Sequence, residues 1–461
     1  LPDAREIELG TDPRLIDSDG DGISDLVEVE GSGTDPTDPG STIPAEDFFV
    51  VLPFNGDRAD RTLRFGTNIS VADVFFLVDM TGSMRGERTN LITGLIDTII
   101  PGIEAAIDNV QFGAGGMDDY PVSPYGGGND LPFYLLREIG PAMEDVGGWS
   151  LSATPTTCPS NPATSDIGMI TGGPNGMPDI LEAVQGLPCH GGSDGEESYI
   201  PALHATASGL GLTWSGGSVP DKTCAVRPDE MGVRSGYPCF RPGALPIVLL
   251  FGDYNFHNGP PSGTGTPYSG VPSAPTYAAT VTALNGIGAR VLGIYSNPSI
   301  PALRSDYEAI ATDTGTVDGT GTPLVFDIMQ DGSGLGAAVV DAVASLVGGT
   351  PQDVSTRTEN VAGNPDGFDA TLFIKSITPI EGYRDGIAGT GYDSFDDTTF
   401  YRVIPGTLVD FGIDFWNDVR PPAAVAQVFQ ARIIVVGNGV ADLDSRNVYI
   451  LVPPDGGTIL I

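Results

Sequence analysis

The sequence predicts an α/β domain with a doubly wound, mostly parallel sheet, inserted in an antiparallel β-sandwich and preceded by an acidic repeat. Apolar runs and amphipathic helical segments alternate in the middle of the chain, and short alternating strands flank that region. An aspartate-rich stretch opens the sequence. The predicted boundaries are 1–43 for the repeat and linker, 44–70 for the first part of the sandwich, 71–352 for the α/β domain and 353–461 for the remaining sandwich.

The composition excludes two classes of function. The 461 residues include 60 acidic and 21 basic side chains, which gives a formal net charge of −39. Lys222 and Lys375 are the only lysines, so no basic patch could follow a phosphate backbone, and nucleic-acid binding is not expected. No apolar run reaches the roughly 18 residues that a membrane-spanning helix needs.

The first element is predicted to be a calcium loop. Residues 17–28 read DSDGDGISDLVE, which meets the pattern D-x-D-x-D-G-x₅-E in full. Gly22 permits the sharp turn, and one carbonyl joins the carboxylates as a ligand. An acidic, disordered linker is the alternative. The expected Ca²⁺ ligands are Asp17, Asp19, Asp21, Ile23, Asp25 and Glu28.

This segment also repeats. Residues 1–8 align with residues 23–30, and the sequence Gly-Thr-Asp-Pro at 10–13 recurs at 33–36. The chain thus begins midway through a repeat, so we expect upstream repeats that are removed by proteolysis or disordered. The array resembles bacterial thrombospondin type 3 repeats, which implies an extracellular, calcium-bound stalk. Asp3 and Glu6 are left as half a site.

Strands without intervening helices predict the sandwich. Phe48–Phe54 and Arg61–Thr67 precede the α/β region and are joined by a short turn. Alternating apolar residues in the later strands indicate one buried face. These later strands are Ala370–Ile377, Thr398–Ile404, Leu408–Trp416, Gln427–Val436 and Asn447–Val452.

Within the α/β domain, strands and helices alternate. The predicted strands are Val74–Val78, Val110–Ala114, Pro246–Phe251, Arg290–Ser296 and Pro323–Ile328. The predicted helices are Arg88–Ile107, Tyr199–Gly209, Thr276–Asn285, Ile300–Thr312 and Leu335–Val347. The long region 118–245 has few strands, and we expect its loops to determine specificity.

A loop at the end of the first α/β strand predicts a metal site. Asp79 follows the apolar strand, and Thr81 and Ser83 add two hydroxyls at alternate positions. The carboxyl end of a strand is where open α/β sheets bind ligands, and an all-oxygen set suits Mg²⁺. A strand-to-helix turn with Asp and Ser caps is the alternative.

Other acidic stretches are expected to meet this loop. Asp253 ends a second apolar strand, which would place it beside Asp79 at a switch point. The loop Gly191–Glu197 and the segment Met117–Tyr125, which follows another strand, bring further carboxylates.

These residues together resemble a known family. The loop Asp79–Ser83 is similar to the metal-ion-dependent adhesion site of von Willebrand factor A domains. With the stretch Asp119–Tyr125, the acids of Gly191–Glu197 and Asp253, the region resembles the I-like domain of integrin β subunits, and the sandwich resembles their hybrid domain. The resemblance implies Mg²⁺ (or Mn²⁺) on Asp79, Thr81, Ser83, Glu197 and Asp253, and Ca²⁺ at a second site of Asp119, Asp194 and Glu197, with carbonyl oxygens such as that of Glu196.

The chain departs from this family at three positions. Thr81 stands where integrins carry serine, and Gly192 stands at an asparagine of the second site. The family's adjacent third site uses two consecutive acids, of which only Glu87 is present, after Gly86. A complete third site is therefore not expected.

The cysteine spacing indicates disulfides in an oxidising compartment. The four cysteines include no CxxC pair of the kind found in zinc and redox sites. Four cysteines allow three connectivities. We predict Cys158–Cys189 and Cys224–Cys239, because each closes a moderate loop.

The sequence predicts a binding protein rather than an enzyme. None of His190, His204 and His257 falls in a hydrolase or zinc-protease motif, and we expect His204 to be a packing or surface residue. The expected protein is a bacterial, extracellular or cell-surface adhesin whose metal binds an Asp or Glu carboxylate of a partner protein. The alternative is a structural subunit of a surface fibre or layer, in which copies of the chain meet through the metal face or the apolar tail 458–461.

Overall fold

The structure is a computed structural model that describes residues 1–44, 47–145, 149–151, 170–172, 179–188, 190–228, 230, 232–297 and 301–454. The chain forms two compact units. One comprises Leu1–Asn68 together with Gln352–Ile461, and the other comprises Ile69–Pro351. The second unit therefore interrupts the first in sequence.

The strands, in chain order, are β1 Phe48–Val51, β2 Ala59–Phe65, β3 Val71–Asp79, β4 Asn109–Met117, β5 Tyr134–Gly140, β6 Trp149–Leu151, β7 Ile170–Gly172, β8 Leu212–Trp214, β9 Gly217–Val219, β10 Leu245–Gly252, β11 Arg290–Tyr295, β12 Val325–Asp327, β13 Gln352–Asn360, β14 Ile374–Arg384, β15 Ile387–Ala388, β16 Ser394–Phe395, β17 Phe400–Val403, β18 Leu408–Phe415, β19 Gln427–Gly437 and β20 Ala441–Val452.

The α-helices are α1 Asp3–Leu9, α2 Asp25–Val27, α3 Arg85–Gly94, α4 Ile100–Ala106, α5 Ile180–Gln185, α6 Tyr199–Ser208, α7 Tyr277–Gly286, α8 Pro301–Asp313 and α9 Leu335–Gly349. Helix α2 continues into a π-helical turn, Glu28–Ser32. Short 3₁₀ turns occupy Gly82–Met84, Pro365–Gly367 and Ala370–Phe373.

The α/β unit contains a six-stranded sheet in the order β12-β11-β10-β3-β4-β5. All neighbours pair in parallel except β4 and β5, which are antiparallel. The chain runs outward from β3 through β4 in one direction and through β10 in the other, so the strand order reverses between β3 and β10. Such a switch point is where open α/β sheets bind their ligands.

Strand β3 lies at the centre of this sheet. From Ala72 to Asp79 every residue is buried, as expected for a strand with neighbours on both sides. Phe76 stacks between Phe112 of β4 and Phe251 of β10, with ring centroids 6.4 and 6.2 Å apart. This packing lies in the centre of the sheet, where the ends of β3 and β10 carry the predicted metal residues.

The other unit is a β-sandwich of a six-stranded sheet, β1-β20-β19-β13-β17-β16, and a four-stranded sheet, β15-β14-β18-β2. Phe400 of the first sheet packs on Phe411 of the second, and Phe48 packs on Phe415, each pair with centroids 5.3 Å apart. The strands are antiparallel, apart from β1 and β20, which pair in parallel. The predicted fold class is thus confirmed.

Two predicted elements differ in detail, and one strand was not predicted. The predicted helix Arg88–Ile107 is interrupted by a π-helical turn at Leu95–Ile99, just before Pro101, which has no N–H to continue the α-helical pattern. The strand predicted from Ala370 is wrong for its first four residues, which form a 3₁₀ turn because the Asp369 carboxylate accepts the Thr371 N–H at 3.0 Å. Strand β13 was missed because its sequence, QDVSTRTEN, contains only one apolar residue.

Candidate metal centre

The predicted adhesion loop is organised by the Asp79 carboxylate at the end of β3. Its Oδ1 accepts hydrogen bonds from the backbone N–H of Thr81 at 2.9 Å and from the Thr81 hydroxyl at 2.7 Å. The loop is tied to the next strand through the Met80 N–H, which donates to the Met117 carbonyl at 2.8 Å. The residues at 79 and 81 thus present their oxygens on the same side of the turn.

The structure brings four of the five predicted Mg²⁺ ligands into one hydrogen-bonded network. The Thr81 and Ser83 hydroxyls lie 3.1 Å apart, and Ser83 donates to Asp253 Oδ1 at 3.2 Å. Asp253 follows β10 directly, so the neighbouring strand ends supply the two carboxylates. These contacts join elements separated by 170 residues in sequence.

Glu197, the fifth predicted ligand, is buried beside this network. Its N–H donates to the Asn255 carbonyl at 3.2 Å, but among the described residues its Oε2 has no hydrogen-bond partner. Burial, and then the negative charges of Asp79 and Asp119, raise the pKa of Glu197 well above its usual range. A buried carboxylate oxygen without a donor needs a cation or a proton.

Gly192 lies close to the Glu197 carboxylate. Gly192 has φ +59, and a Cβ there would lie 3.1 Å from Glu197 Oε1. A side chain at this position would therefore be strained and would crowd the glutamate.

The carboxylates of the network are difficult to ionise without a cation. Burial is the main cause that raises the pKa of Asp79 to about 6 and that of Asp253 to about 7, and for Asp253 the charge of Asp79 adds to it. Hydrogen bonds from Thr81 and Tyr199 partly oppose the effect at Asp79. An all-oxygen set of carboxylates and hydroxyls fits Mg²⁺ or Mn²⁺, which would neutralise this charge.

The predicted second site has a donor set that differs from the expected one. Oxygens of Asp119 and Asp194 and one ring nitrogen of His257 lie within 4.8 Å of one another. His257 Nδ1 faces the Thr266 carbonyl at 2.8 Å, which leaves Nε2 3.2 Å from Asp194 and 3.6 Å from Asp119. The sequence analysis assigned no metal-binding role to His257, yet its imidazole joins the carboxylates.

Glu196 is predicted for the second site through its carbonyl oxygen, and its side chain contacts a neighbouring loop. Its Oε2 accepts the Thr266 N–H at 2.8 Å and lies 3.1 Å from His257 Nδ1. Asp119 Oδ2 is buried without a hydrogen-bond partner in the part of the chain that is described. The structure therefore brings together Asp119 and Asp194, while the Glu196 carboxylate stabilises the neighbouring loop.

Glu87, the remnant of the third site, is buried near the adhesion network. Burial is the main cause that raises its pKa, and the charges of Asp79 and Asp331 add to it. Its Oε2 lacks a hydrogen-bond partner among the described residues. Gly86 is required here for packing, because a Cβ would lie 2.7 Å from the Asp331 carbonyl oxygen.

The N-terminal loop has the shape that its sequence predicts. Gly20 and Gly22 have positive φ values of 79° and 98°, and the carboxylates of Asp17, Asp19 and Asp21 approach within 4.8 Å. Asp19 Oδ2, Asp21 Oδ2 and Glu28 Oε2 are buried and lack hydrogen-bond partners in the described ranges. Burial is also the main cause that raises the pKa of Glu28 to about 7. These residues fit a Ca²⁺ ion.

The other two predicted calcium ligands differ in their contacts. Ile23 donates its N–H to Asp21 Oδ1 at 2.7 Å, which closes the loop. Asp25 accepts the N–H and hydroxyl of Ser18 at 2.8 and 2.7 Å, so its carboxylate is engaged within the repeat. Position 9 of such loops often reaches the ion through water. In the half site, Glu6 is buried and Asp3 is exposed.

One of the two predicted disulfides lies in the described residues. Cys224 and Cys239 are bonded, with Cα atoms 5.5 Å apart. The predicted Cys158–Cys189 pair lies outside the described residues, as does the apolar tail 458–461.

We expect the Cys224–Cys239 bond to contribute to the stability of the α/β unit. Its sequence separation is 15 residues, and closing such a loop in the unfolded chain corresponds to about 3 kcal/mol. Replacing both cysteines by serine should lower the thermal midpoint of this unit. Non-reducing peptide mapping of the parent chain should recover the two cysteines in one linked pair; any other pairing would contradict the assignment.

Two tyrosines of the site were missed by the sequence analysis. Tyr199, the first residue of α6, donates its hydroxyl to Asp79 Oδ2 at 2.7 Å. Tyr268 donates its hydroxyl to Asp119 Oδ1. Neither residue belongs to a spaced motif, so no sequence signal distinguishes it from a core aromatic residue.

Comparison with known proteins supports the N-terminal assignment. The family model described as bacterial TSP3 repeat matches residues 17–39. No curated protein matches the chain. Among the described residues, no helix has the length and apolar character needed to cross a membrane.

Solved structures with similar folds include three of different origin. A von Willebrand factor type A protein from Catenulispora acidiphila is 14% identical over 88% of this chain and 72% of its own, with a TM-score of 0.28. The pilus adhesin SpaC from Lactobacillus rhamnosus GG, in its open conformation, is 12% identical over 86% of this chain and 45% of its own, with a TM-score of 0.31. The human COPII-coat protein Sec24c is 9% identical over 84% of this chain and 46% of its own, with a TM-score of 0.35.

The chain spans less than half the length of SpaC and of Sec24c, and each TM-score is below 0.5. The fold assignment therefore rests on the strand order of the two units. The chain carries a bacterial TSP3 repeat at its N-terminus, followed by a β-sandwich into which a doubly wound α/β unit is inserted.

Proposed function

We propose that this chain belongs to an extracellular bacterial adhesin that binds an Asp or Glu carboxylate of a partner protein through a metal ion. The observation that carries the proposal is the convergence of Asp79, Thr81, Ser83 and Asp253, with the unpartnered Glu197 Oε2 beside them. These oxygens arise from three separate parts of the chain. Their number and type suit a Mg²⁺ or Mn²⁺ ion.

The burial of the site supports ligand binding at one side. Asp79, Thr81, Glu197 and Asp253 are buried, whereas Ser83 is exposed. An ion held by this set would have four buried protein ligands and would face water next to Ser83. A partner carboxylate that replaces this water would gain a charge-assisted contact oriented by the ion. The proposed activity is ligand binding without a catalytic step.

The remaining features fit an extracellular setting. The TSP3 repeat and its unpartnered carboxylate oxygens support Ca²⁺ at Asp17, Asp19, Asp21 and Glu28. We also assign Ca²⁺ to the cluster of Asp119 and Asp194, as in the integrin-like interpretation. The Cys224–Cys239 disulfide is typical of proteins outside the reducing cytosol.

Asp79→Ala should abolish Mg²⁺-dependent binding while the fold survives. The substitution removes a ligand that other loop residues do not replace, so Mn²⁺ affinity should fall at least about 100-fold, the upper range for losing a supporting residue. Binding can be measured on an array of short peptides that each carry one Asp or Glu, with Asn and Gln versions as blanks. Mn²⁺ affinity can be measured by calorimetry.

Asp341→Ala is the matched control, because Asp341 is exposed in the middle of α9 of the same unit. It should bind peptides and Mn²⁺ as the parent does. Circular dichroism should confirm that both variants are folded. A folded Asp79→Ala protein that binds peptides as well as the parent would contradict the proposal and favour a structural fibre subunit.

A further inference from the structure

A second buried cluster lies behind the adhesion loop. It consists of Asp118, which directly follows β4, Asp130, which shortly precedes β5, and His190, in the loop before α6. The side chains of all three are at most 6% exposed. We refer to these three residues as the rear cluster. It shares no residue with the predicted adhesion site or with the Asp119–Asp194–His257 cluster.

The donor atoms of the rear cluster converge closely. One oxygen of each aspartate and one ring nitrogen of His190 lie within 4.8 Å of one another. His190 Nδ1 is 2.7 Å from Asp118 Oδ2 and 3.9 Å from Asp130 Oδ1. Ligands bound at about 2.1 Å in a tetrahedron are separated by about 3.4 Å. The two measured distances lie on either side of this value.

An unpartnered oxygen also points to an absent ligand. Asp118 is fully buried, and its Oδ1 has no hydrogen-bond partner in the described part of the chain. Leaving a carboxylate oxygen unsatisfied in the interior is costly. A cation in the cluster could bind this oxygen, or its partner Oδ2, and remove the cost.

The charge balance favours a divalent ion over a single proton. If His190 is protonated, two carboxylates and one imidazolium still leave a net charge of −1 in a buried site. With a divalent ion and a neutral imidazole, the net charge is zero.

We propose that the rear cluster binds a borderline divalent transition ion of the Zn²⁺ class through Asp118, Asp130 and His190. The imidazole nitrogen distinguishes this donor set from the all-oxygen sets of the adhesion loop and of the N-terminal repeat. The Tyr134 hydroxyl lies 2.9 Å from His190 Nδ1 and 3.0 Å from the Asn129 carbonyl, so it borders the cluster.

The ion would stabilise the adhesion loop from behind. The His190 N–H donates to the Met80 carbonyl at 3.1 Å, and residues 190 and 81 form a parallel β-bridge. His190 therefore contacts the adhesion loop through its backbone and the Asp118–Asp130 segment through its side chain. An ion on the side chain would hold these two segments at a fixed separation.

Zinc stoichiometry tests the assignment. The full chain, saturated with Ca²⁺ and Mg²⁺, is titrated with Zn²⁺, and bound zinc is counted by mass spectrometry after dialysis. His190→Gln and Asp130→Asn should each bind one equivalent less than the parent. His204→Gln is the matched control, since His204 lies in α6 outside these clusters, and it should bind as much zinc as the parent.

Two further measurements separate the possible outcomes. Co²⁺ in place of Zn²⁺ should give a visible tetrahedral absorption band in the parent that Asp130→Asn loses. His257→Gln reports on the other imidazole-containing cluster and should retain the band. The proposal is overturned if folded Asp130→Asn binds as much zinc as the parent, if the parent binds none, or if only His257→Gln reduces the zinc count.

Discussion

Removal of calcium should release the N-terminal repeat from the sandwich. In the sandwich unit, Ile23 and Val27 pack with Tyr449 and Leu451 of β20 in a buried cluster. The loop that holds Ile23 is lined by carboxylates that repel one another without an ion. Chelation should therefore unfold the loop and expose these apolar residues. Thermolysin, which cleaves before large apolar residues, should then cut at Ile23 and Val27.

Glu28→Gln should reproduce this effect in the presence of Ca²⁺, because Glu28 is buried and supplies the closing ligand of the loop. Glu30→Gln is the matched control, since Glu30 is exposed two residues later. The α/β unit should resist cleavage longer than the repeat. Equal resistance of residues 1–40 with and without chelator would show that calcium does not hold the repeat together.

In chelator, the thermal midpoint of the α/β unit should rise as the pH is lowered from 8 to 5.5. Burial is the main cause that raises the pKa of Asp79 to about 6, that of Asp253 to about 7 and that of Glu197 well above its usual range. One pKa unit corresponds to about 1.4 kcal/mol, so several such groups produce a large effect.

The sign follows from proton binding. The folded chain keeps protons on these carboxyls at a pH at which the unfolded chain, with its lower pKa values, has lost them. The stabilisation is complete below the unfolded pKa near 3.8 and is lost as the pH rises through about 6 to 7. Mg²⁺ binds the ionised form, so adding it at pH 7.5 should restore stability and reduce the pH dependence.

Asp253→Asn separates this effect from other titrations. The variant cannot ionise at this position, so its midpoint in chelator should depend less on pH than that of the parent. Asp73 also contributes to the pH dependence, because burial raises its pKa to about 6 although Arg241 lies beside it. Mg²⁺ should not change this contribution, since Asp73 is not one of the expected Mg²⁺ ligands. A pH dependence that neither Mg²⁺ nor Asp253→Asn alters would show that the adhesion-site carboxylates do not cause it.

The elements that the sequence predicted well have strong local patterns. The runs around β3 and β10 are short and apolar, as fully buried parallel strands must be. The calcium loop has fixed spacing, because its ligands come from one short segment. Strand β13 has no such pattern: it lies between β19 and β17, and its place in the sheet depends on backbone pairing with both.

The separation of residues in sequence explains what was missed at the sites. Asp118, Asp130 and His190 come from three loops, and no spacing connects them. The π-helical turn before Pro101 interrupts a predicted helix, and the cap at Asp369 shortens a predicted strand. The apolar periodicity of both elements was predicted correctly. Tyr199 was expected only as the start of a helix, whereas its hydroxyl contacts the central carboxylate of the adhesion network.

The sequence by itself determined the fold class, the calcium loop and which carboxylates lie at strand ends, because these depend on local spacing and apolar periodicity. Only the tertiary structure decided which oxygens remain without donors, that His257 faces Asp119 and Asp194, and that His190 joins Asp118 and Asp130. These features depend on side chains that meet across loops distant in sequence. Their distances, burial and shared charge arise when the sheet and its loops are assembled.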